Sequence, residues 1–350
     1  MGNGTLSVTM PNYNHAHYIG EAIESILSQS FRPLEVIVVD DGSTDNSVAI
    51  IEQFARRDPT VRLLQNEQNM GSIFSVNRAL EHASGDYVCF QSADDKVLPG
   101  FFEKSMRLLG QYPQAGICSS RVLLINEQGR EVGEQEIVAP IETAGFLPPK
   151  RVLAELRKRG GYIIGCSAII KRTALLEFGG LIPELRSFGD WFIQNAIALK
   201  YGACFIPEPL AAWRRMDTGY SASISVRTDI VLEVVSYAVK LMQSSKYSSL
   251  FPQDCVRNWE RKQLHILGRL ILKRLWNHQG DFFADLESLR PHPTILDKTF
   301  LKGLRLWMRA QSLAIKLYLV YRDRGWLLLV RTLKRKMKER WMHGKGGSRD

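Results

Sequence analysis

The stretch Gly85-Asp86-Tyr87-Val88-Cys89-Phe90-Gln91-Ser92-Ala93-Asp94-Asp95 is a short apolar run that ends on two adjacent carboxylates. An earlier run, Leu34 to Val39, ends likewise on Asp40-Asp41. Two strands that each finish on acid bring four carboxylates to one edge of a sheet. In open α/β sheets ligands bind in the crevice beyond the carboxyl ends of the strands, so this edge points to a pocket for a metal and a nucleotide. Each acidic pair taken alone is equally a turn with a capping Asp, so the surrounding order of elements has to decide.

That order alternates. Leu6 to Met10 reads as a buried strand, and the turn formers Pro11 to Asn14 follow it. Ile19, Ala22, Ile23, Ile26 and Leu27 fall at helical spacing on one stripe. Leu34 to Val39 is the second strand, Asp41 to Asp45 the loop and helix cap, and an amphipathic segment runs on through Phe54. Val61 to Leu64 is the third strand. Asn69-Met70-Gly71-Ser72 opens a helix that turns Val76, Ala79, Leu80 and Ala83 inward, and Tyr87 to Phe90 is the fourth strand. Strands alternating with helices of this length predict a parallel sheet with crossover helices. Gly116 to Ile125 and Tyr162 to Ile170 are further strand candidates, with a polar connection from Asn126 to Lys150 between them, and a helix follows Asp190.

At 350 residues the chain exceeds the roughly 250 to 300 that one core organises, which predicts a main domain and an appendage. Apolar residues at 45% and charged residues at 23% fit a folded protein and exclude disorder as the default. The five cysteines are scattered, with no CxxC pair or zinc spacing, and read as buried free thiols. No basic segment leads into an apolar run at the start, so a secretory signal is not expected and the cytoplasm is the expected compartment. No run approaches the roughly 20 apolar residues of a membrane-spanning helix. Residues 301–350 hold 14 Lys and Arg against Asp323, Glu339 and Asp350, a local charge of +11, while the whole chain carries +10, so the other 300 residues sum to −1. A near-neutral body with a basic end predicts an anionic partner for that end.

Taken together, Val8-Thr9-Met10-Pro11-Asn12-Tyr13-Asn14, Val38-Val39-Asp40-Asp41-Gly42-Ser43-Thr44-Asp45, Asn69-Met70-Gly71 and Gly85 through Asp95 resemble the nucleotide half of a family 2 glycosyltransferase of the GT-A fold. The resemblance implies an α/β domain over residues 1–223, a Rossmann-like and mostly parallel sheet flanked by helices; from about Val226 the periodicity itself turns helical, which gives a helical region over 224–350. The resemblance also implies a donor pocket in which Asp41 accepts from the nucleotide base, Tyr13 packs on the base face, Pro11 and Asn12 line the cavity, and Asn69 and Gly71 border it. Asp94 is expected beside the sugar and ribose. Asp95 is expected to bind the Mg²⁺ or Mn²⁺ that bridges the diphosphate, hard cations that share oxygen ligands with phosphate.

The same resemblance places a general base at Asp190, in Phe178-Gly179-Gly180 through Gly189-Asp190-Trp191, where family members often carry Glu at the position of Gly189. An N-cap is the alternative for Asp190. Ala212-Trp213-Arg214-Arg215-Met216 resembles a segment that ends in His, and Met216 stands in its place. A thioether is a poor ligand for these ions, so Arg214 or Arg215 is the expected clamp on the diphosphate, with a solvated surface charge as the alternative for either. The expected activity is inverting transfer of one sugar from a nucleoside-diphosphate sugar, UDP-linked, to a hydroxyl acceptor, in cell-surface polysaccharide or lipid-linked oligosaccharide assembly. The Gln-x-x-Arg-Trp sequence of processive synthases is absent. Gly189 and Met216 keep a second reading open, a nucleotide-sugar-binding scaffold with impaired catalysis.

Lys334-Arg335-Lys336-Met337-Lys338-Glu339-Arg340-Trp341 follows the apolar Trp326 to Val330. As a helix it suits the headgroup layer of an anionic membrane, a peripheral position beside a lipid-linked or other carbohydrate acceptor. A helix packed on the body is the alternative. Nucleic acid ranks below both, since no recognition motif accompanies the charge.

Overall fold

The computed structural model describes residues 4–135, 138–216 and 227–276. The four expected strands form as β1 (Leu6–Asn12), β2 (Glu35–Asp40), β3 (Val61–Gln65) and β4 (Tyr87–Phe90). They pair in parallel in the order β3-β2-β1-β4. All six residues of β2 are buried, as a strand covered on both faces requires. Leu6, Val8, Met10, Val36 and Val38 join Ile19, Ile23 and Ile26 of α1 (Ile19–Leu27) and Ile51 of α2 (Ser47–Arg57) in one core cluster. Each such aliphatic side chain, fully buried, contributes roughly 1.5–3 kcal/mol. The intervening residues of β1 and β2 turn to the opposite face, and α3 (Ser72–His82) packs on these two strands.

Beyond β4 the sheet becomes mixed. It continues with β5 (Lys96–Val97), α4 (Phe101–Gln111), β6 (Ile117–Ile125), β7 (Glu131–Glu134), β8 (Gly145–Leu147) and α5 (Pro149–Arg159). The strand expected from Tyr162 to Ile170 is instead a 3₁₀ turn, Gly165–Ser167, and a short strand β9 (Ala168–Lys171). β9 runs antiparallel between β4 and β6. α6 (Arg172–Phe178), the 3₁₀ segment Pro183–Phe188 and α7 (Gly189–Tyr201) lead to β10 (Ala203–Arg214), which lies parallel to β6. Pro209 breaks the β10 register twice, and the second half of the strand then pairs with β5 through Ala211 and Ala212. The carboxyl ends of β1, β2, β4, β6 and β10 therefore share an edge with the start of β9.

The polar connection expected from Asn126 to Lys150 contains β7, β8 and the first turn of α5. The helical character expected after Val226 is found in α8 (Thr228–Gln243) and α9 (Gln253–Trp276). The chain divides into two compact units, residues 1–224 with 233–260, and residues 225–232 with 261–350. In the first, Tyr247 and Phe251 stack on Phe178 and Phe192, and Trp259 stacks on Trp191 with ring centroids 5.0 Å apart. In the second, residues 228–232 and 261–276 are helical. The basic segment Lys334 to Trp341 lies outside the described residues. All five cysteines are free and buried. Among the described residues no helix is long and apolar enough to cross a membrane.

Candidate active site

Asp41 follows β2 and is 2% exposed. Its Oδ1 accepts from Asn66 Nδ2 at 2.6 Å and the Met70 N–H at 2.9 Å, and its Oδ2 from the Gly71 N–H at 2.8 Å. A carboxylate offers about four lone-pair sites, so one, on Oδ2, stays available to a further donor. The amides that open α3 are thus held by an anion of the chain itself. Asn69 Oδ1 reinforces the Gly71 N–H at 3.1 Å. Gly71 has φ +93, a backbone that side-chain-bearing residues rarely adopt.

Asp40 serves the scaffold. Its Oδ1 accepts from Asn12 Nδ2 at 2.7 Å and its Oδ2 from the Ser43 N–H at 3.0 Å, closing the turn after β2. Asn12 is therefore buried with its amide turned to Asp40, while Pro11 is half-buried and Tyr13, 43% exposed, presents its ring to solvent. Asp45 accepts from the Ala16 and Ser47 N–H groups, tying the first loop to the second. Neighbouring strands lie about 4.8 Å apart, so the ends of β2 and β4, with β1 between them, are separated by about 10 Å.

Asp95 is 4% exposed, whereas Asp94 is half-buried. The Arg214 N–H donates to Asp95 Oδ1 at 2.8 Å, and Arg214 Nε donates to the Asp94 carbonyl at 2.8 Å. The end of β10 thus clasps the acidic loop at both residues. Burial, then the adjacent Asp94 charge, pushes the Asp95 carboxyl well above the usual carboxylate range, against the pull of Arg214. Two carboxylates crowded in this way form a hard oxygen set whose repulsion a divalent cation would relieve. They supply fewer than the about six ligands of Mg²⁺ or Mn²⁺, leaving the balance to phosphate and water.

The Arg214 guanidinium is committed to the protein. It donates to the carbonyls of Asn126 and Glu127 and to Glu21 Oε2 at 2.6 Å, and lies over the Tyr18 ring at 4.6 Å. Arg215 is exposed, with its guanidinium 5.3 Å from the Trp213 ring centre. Of the two arginines, Arg215 is the one whose side chain faces solvent.

Asp190 opens α7, and its Oδ1 accepts from the Trp191 N–H at 2.7 Å. Burial raises its pKa, with that N–H pulling the other way. Its Oδ2 points at Gly165, where a Cβ would stand 2.3 Å away, so only glycine fits opposite this carboxylate. The neighbouring Cys166 is raised in pKa by burial and then by the charges of Asp95, of Cys89 and of Asp190. Gly165 stands just ahead of β9, whose start lies at the edge where β4 and β6 end, so Asp190 stands at the edge that carries Asp95.

Sequence reasoning missed Asn66, Glu21, Tyr18 and Gly165. Asn66 alone left a signal, since it follows β3 at the same edge as the acidic pairs. His15 and His17 belong to no metal-binding cluster among the described residues.

The model of glycosyl transferase family 2 matches residues 7–179. Glycosyltransferase GlyG of Streptococcus pneumoniae serotype 4 is 39% identical over 218 residues, 60% of this chain and 70% of GlyG. The putative glycosyltransferase EpsE of Bacillus subtilis is 37% identical over 125 residues, 35% of this chain and 45% of EpsE, so the chain spans less than half of that relative. The uncharacterized glycosyltransferase YibD of Escherichia coli is 43% identical, across 29% of this chain and 30% of YibD. The structure of S. aureus TarS 1-349 in complex with UDP-GlcNAc superposes with a TM-score of 0.60 at 18% identity, covering 90% of this chain and 91% of that one. Mannosyltransferase PcManGT from Pyrobaculum calidifontis, in complex with GDP-Man and Mn²⁺, gives 0.55 at 20% identity, covering 90% and 86%. The fold is of the GT-A type that these neighbours share, as the family resemblance implied. With the acidic loops, the sheet order and the relatives in agreement, the chain belongs to glycosyltransferase family 2.

Proposed function

We propose that the chain transfers a single sugar from a UDP-linked donor to a hydroxyl acceptor with inversion at the anomeric carbon. What supports this reading is that Asp41 follows β2, Asp94 and Asp95 follow β4, and Asp190 lies against Gly165, just ahead of the start of β9 at the same sheet edge. Asp41 offers its remaining lone pair to a ring N–H of the base, beside Tyr13, Pro11 and Asn12, and the Asn69 to Gly71 loop that it holds closes that end. Asp94 faces the ribose and sugar. Asp95, with Asp94, would hold Mg²⁺ or Mn²⁺, which would supply positive charge to the departing diphosphate. Arg215 adds a charged hydrogen-bond donor there. Two solved neighbours hold a nucleotide sugar, UDP-GlcNAc in one and GDP-Man with Mn²⁺ in the other, which supports the donor class.

Asp190 accepts the acceptor hydroxyl proton while the oxygen forms its bond to the anomeric carbon. The bond from that carbon to the diphosphate oxygen breaks, its electron pair leaving with the nucleoside diphosphate. Burial, by raising the pKa of Asp190, makes it a stronger base than an exposed carboxylate. The acceptor is a carbohydrate or a lipid-linked sugar of cell-surface polysaccharide assembly, and the basic segment Lys334 to Trp341 meets an anionic membrane on its cytoplasmic face. A panel of UDP-sugars supplied with Mn²⁺, comparing wild type with Asp95→Ala and Asp190→Ala, tests the assignment. Donor turnover that survives both substitutions unchanged would remove it.

A further inference from the structure

Next to this edge lies an open cavity of about 890 Å³ that the transfer reading does not use. One stripe of α3, Phe74, Arg78 and Glu81, forms a wall, with Met70 at its mouth. Glu184 and Arg186 form a second wall, and Glu233 and Tyr237, one turn apart on α8, a third. The cavity adjoins the candidate site twice. Its lining includes Gly71, whose N–H Asp41 holds. It also includes Ile73, whose Cδ1 would lie 3.5 Å from a Cβ at Gly189, next to Asp190. Arg186, four residues before Asp190, has φ 48 and ψ −127. A non-glycine residue held so is strained, and such strain gathers at functional sites.

The lining chemistry selects a ligand class. Met70 and Phe74 are 47% and 44% exposed, so apolar side chains remain on a face where the helix has no core to cover. Glu81, Glu184 and Glu233 offer acceptors. Of the two arginines, Arg78 is already engaged by the Gln65 carbonyl and Asn66 Oδ1. Aromatic faces together with carboxylate acceptors suit a ligand with C–H faces and many hydroxyl donors, and three carboxylates set against Arg78, Arg186 and His82 leave no surplus of positive charge to draw an anion. The volume stands near the top of the roughly 300–1,000 Å³ range of small-molecule pockets, room for more than one sugar ring.

We propose that this cavity is the acceptor subsite and that it takes a neutral oligosaccharide, an inference that rests on the glycosyl-transfer reading. Phe74 and Tyr237 pack against ring faces, the glutamates accept from hydroxyls, and the segment through Arg186 leads the terminal sugar toward Asp190.

The test is saturation-transfer NMR on the full chain with UDP present, using chitotetraose, cellotetraose, maltotetraose and an anionic tetragalacturonate. UDP affinity is measured by calorimetry on the same samples. At least one neutral tetrasaccharide should bind saturably, Phe74→Ala and Tyr237→Ala should each weaken it about tenfold or more, and Glu233→Gln should weaken it less. UDP affinity should not change in any variant. Tetragalacturonate binding in place of the neutral sugars overturns the proposal. So does failure of all three neutral probes with UDP binding intact, or binding that the substitutions leave unaltered. Failure of UDP itself to bind wild type defeats the underlying transfer reading and this inference with it.

Discussion

Arg214 shows how a charge in an active site can act without touching substrate. Its side chain is 1% exposed and meets the Asp94, Asn126 and Glu127 carbonyls, Glu21 and the Tyr18 ring. Lysine would keep the charge but lose the planar fork, so Arg214→Lys should leave part-buried carbonyls without their donor, at up to about 1 kcal/mol each before relaxation. Urea unfolding should show the loss, and half-maximal stimulation by Mn²⁺ should require a higher concentration because the Asp94-Asp95 loop loses its clasp. Unchanged metal dependence would make Arg214 a purely structural residue. Asp190 allows a sharper test, because the fold raises its pKa. The folded state then keeps that proton to higher pH than the unfolded chain does, so stability falls as pH rises from the ordinary Asp value, 3.8, through the raised one. Asp190→Asn removes the penalty. The variant should gain thermal stability relative to wild type as melts move from acid to neutral pH, and should lose transfer activity. A stability difference that is flat with pH would contradict the assignment.

The turn Gly165–Ser167 ahead of β9 is the element that seats Asp190, since the carboxylate occupies the space where a side chain at Gly165 would begin. Gly165→Ala should push the carboxylate aside and lower kcat by about 10²-fold, as misplacement of about 1 Å can, while donor binding by calorimetry stays within error. Weakened donor binding at unchanged kcat would show that the turn serves the other half of the site. Sequence did not reveal this turn. The apolar run from Tyr162 to Ile170 looked like one strand because periodicity cannot register a close approach by a side chain 25 positions later. The parallel half was legible for the opposite reason: β1 to β4 are short apolar runs, β1 and β2 ending on Asn12 and Asp40 and β4 followed closely by Asp94-Asp95, and the intervening helices carry their stripes locally. β10 was hidden by Pro207 and Pro209, which argue against a strand until the two register shifts absorb them. β5 has only two residues and exists through its pairing with β10. The roles of Asp41 and Arg214 depend on partners as far away as Glu21, 193 residues from Arg214, a separation that no local pattern encodes.

Across the whole molecule charge is the property with the strongest segregation, and it sets an expectation for where the enzyme works. Residues 1–300 sum to −1 and residues 301–350 to +11, so a general attraction to polyanions would arise from one end of the chain alone. Five of those cations, Lys334, Arg335, Lys336, Lys338 and Arg340, lie within seven positions beside Met337 and Trp341. Near an anionic leaflet each Lys or Arg contributes about 1 kcal/mol, an attraction that fades beyond a Debye length of about 10 Å at 0.1 M salt. The full chain should therefore sediment with vesicles containing phosphatidylglycerol, release as salt is raised, and leave vesicles of phosphatidylcholine alone unbound. Replacing the five cations by Gln should weaken the association by about hundredfold or more, with transfer to a water-soluble acceptor unchanged. Equal binding to both vesicle types would assign the attraction to the apolar residues of that segment. Retention of binding by the Gln variant would move it elsewhere on the surface, and the proposed membrane role of the basic segment would be lost.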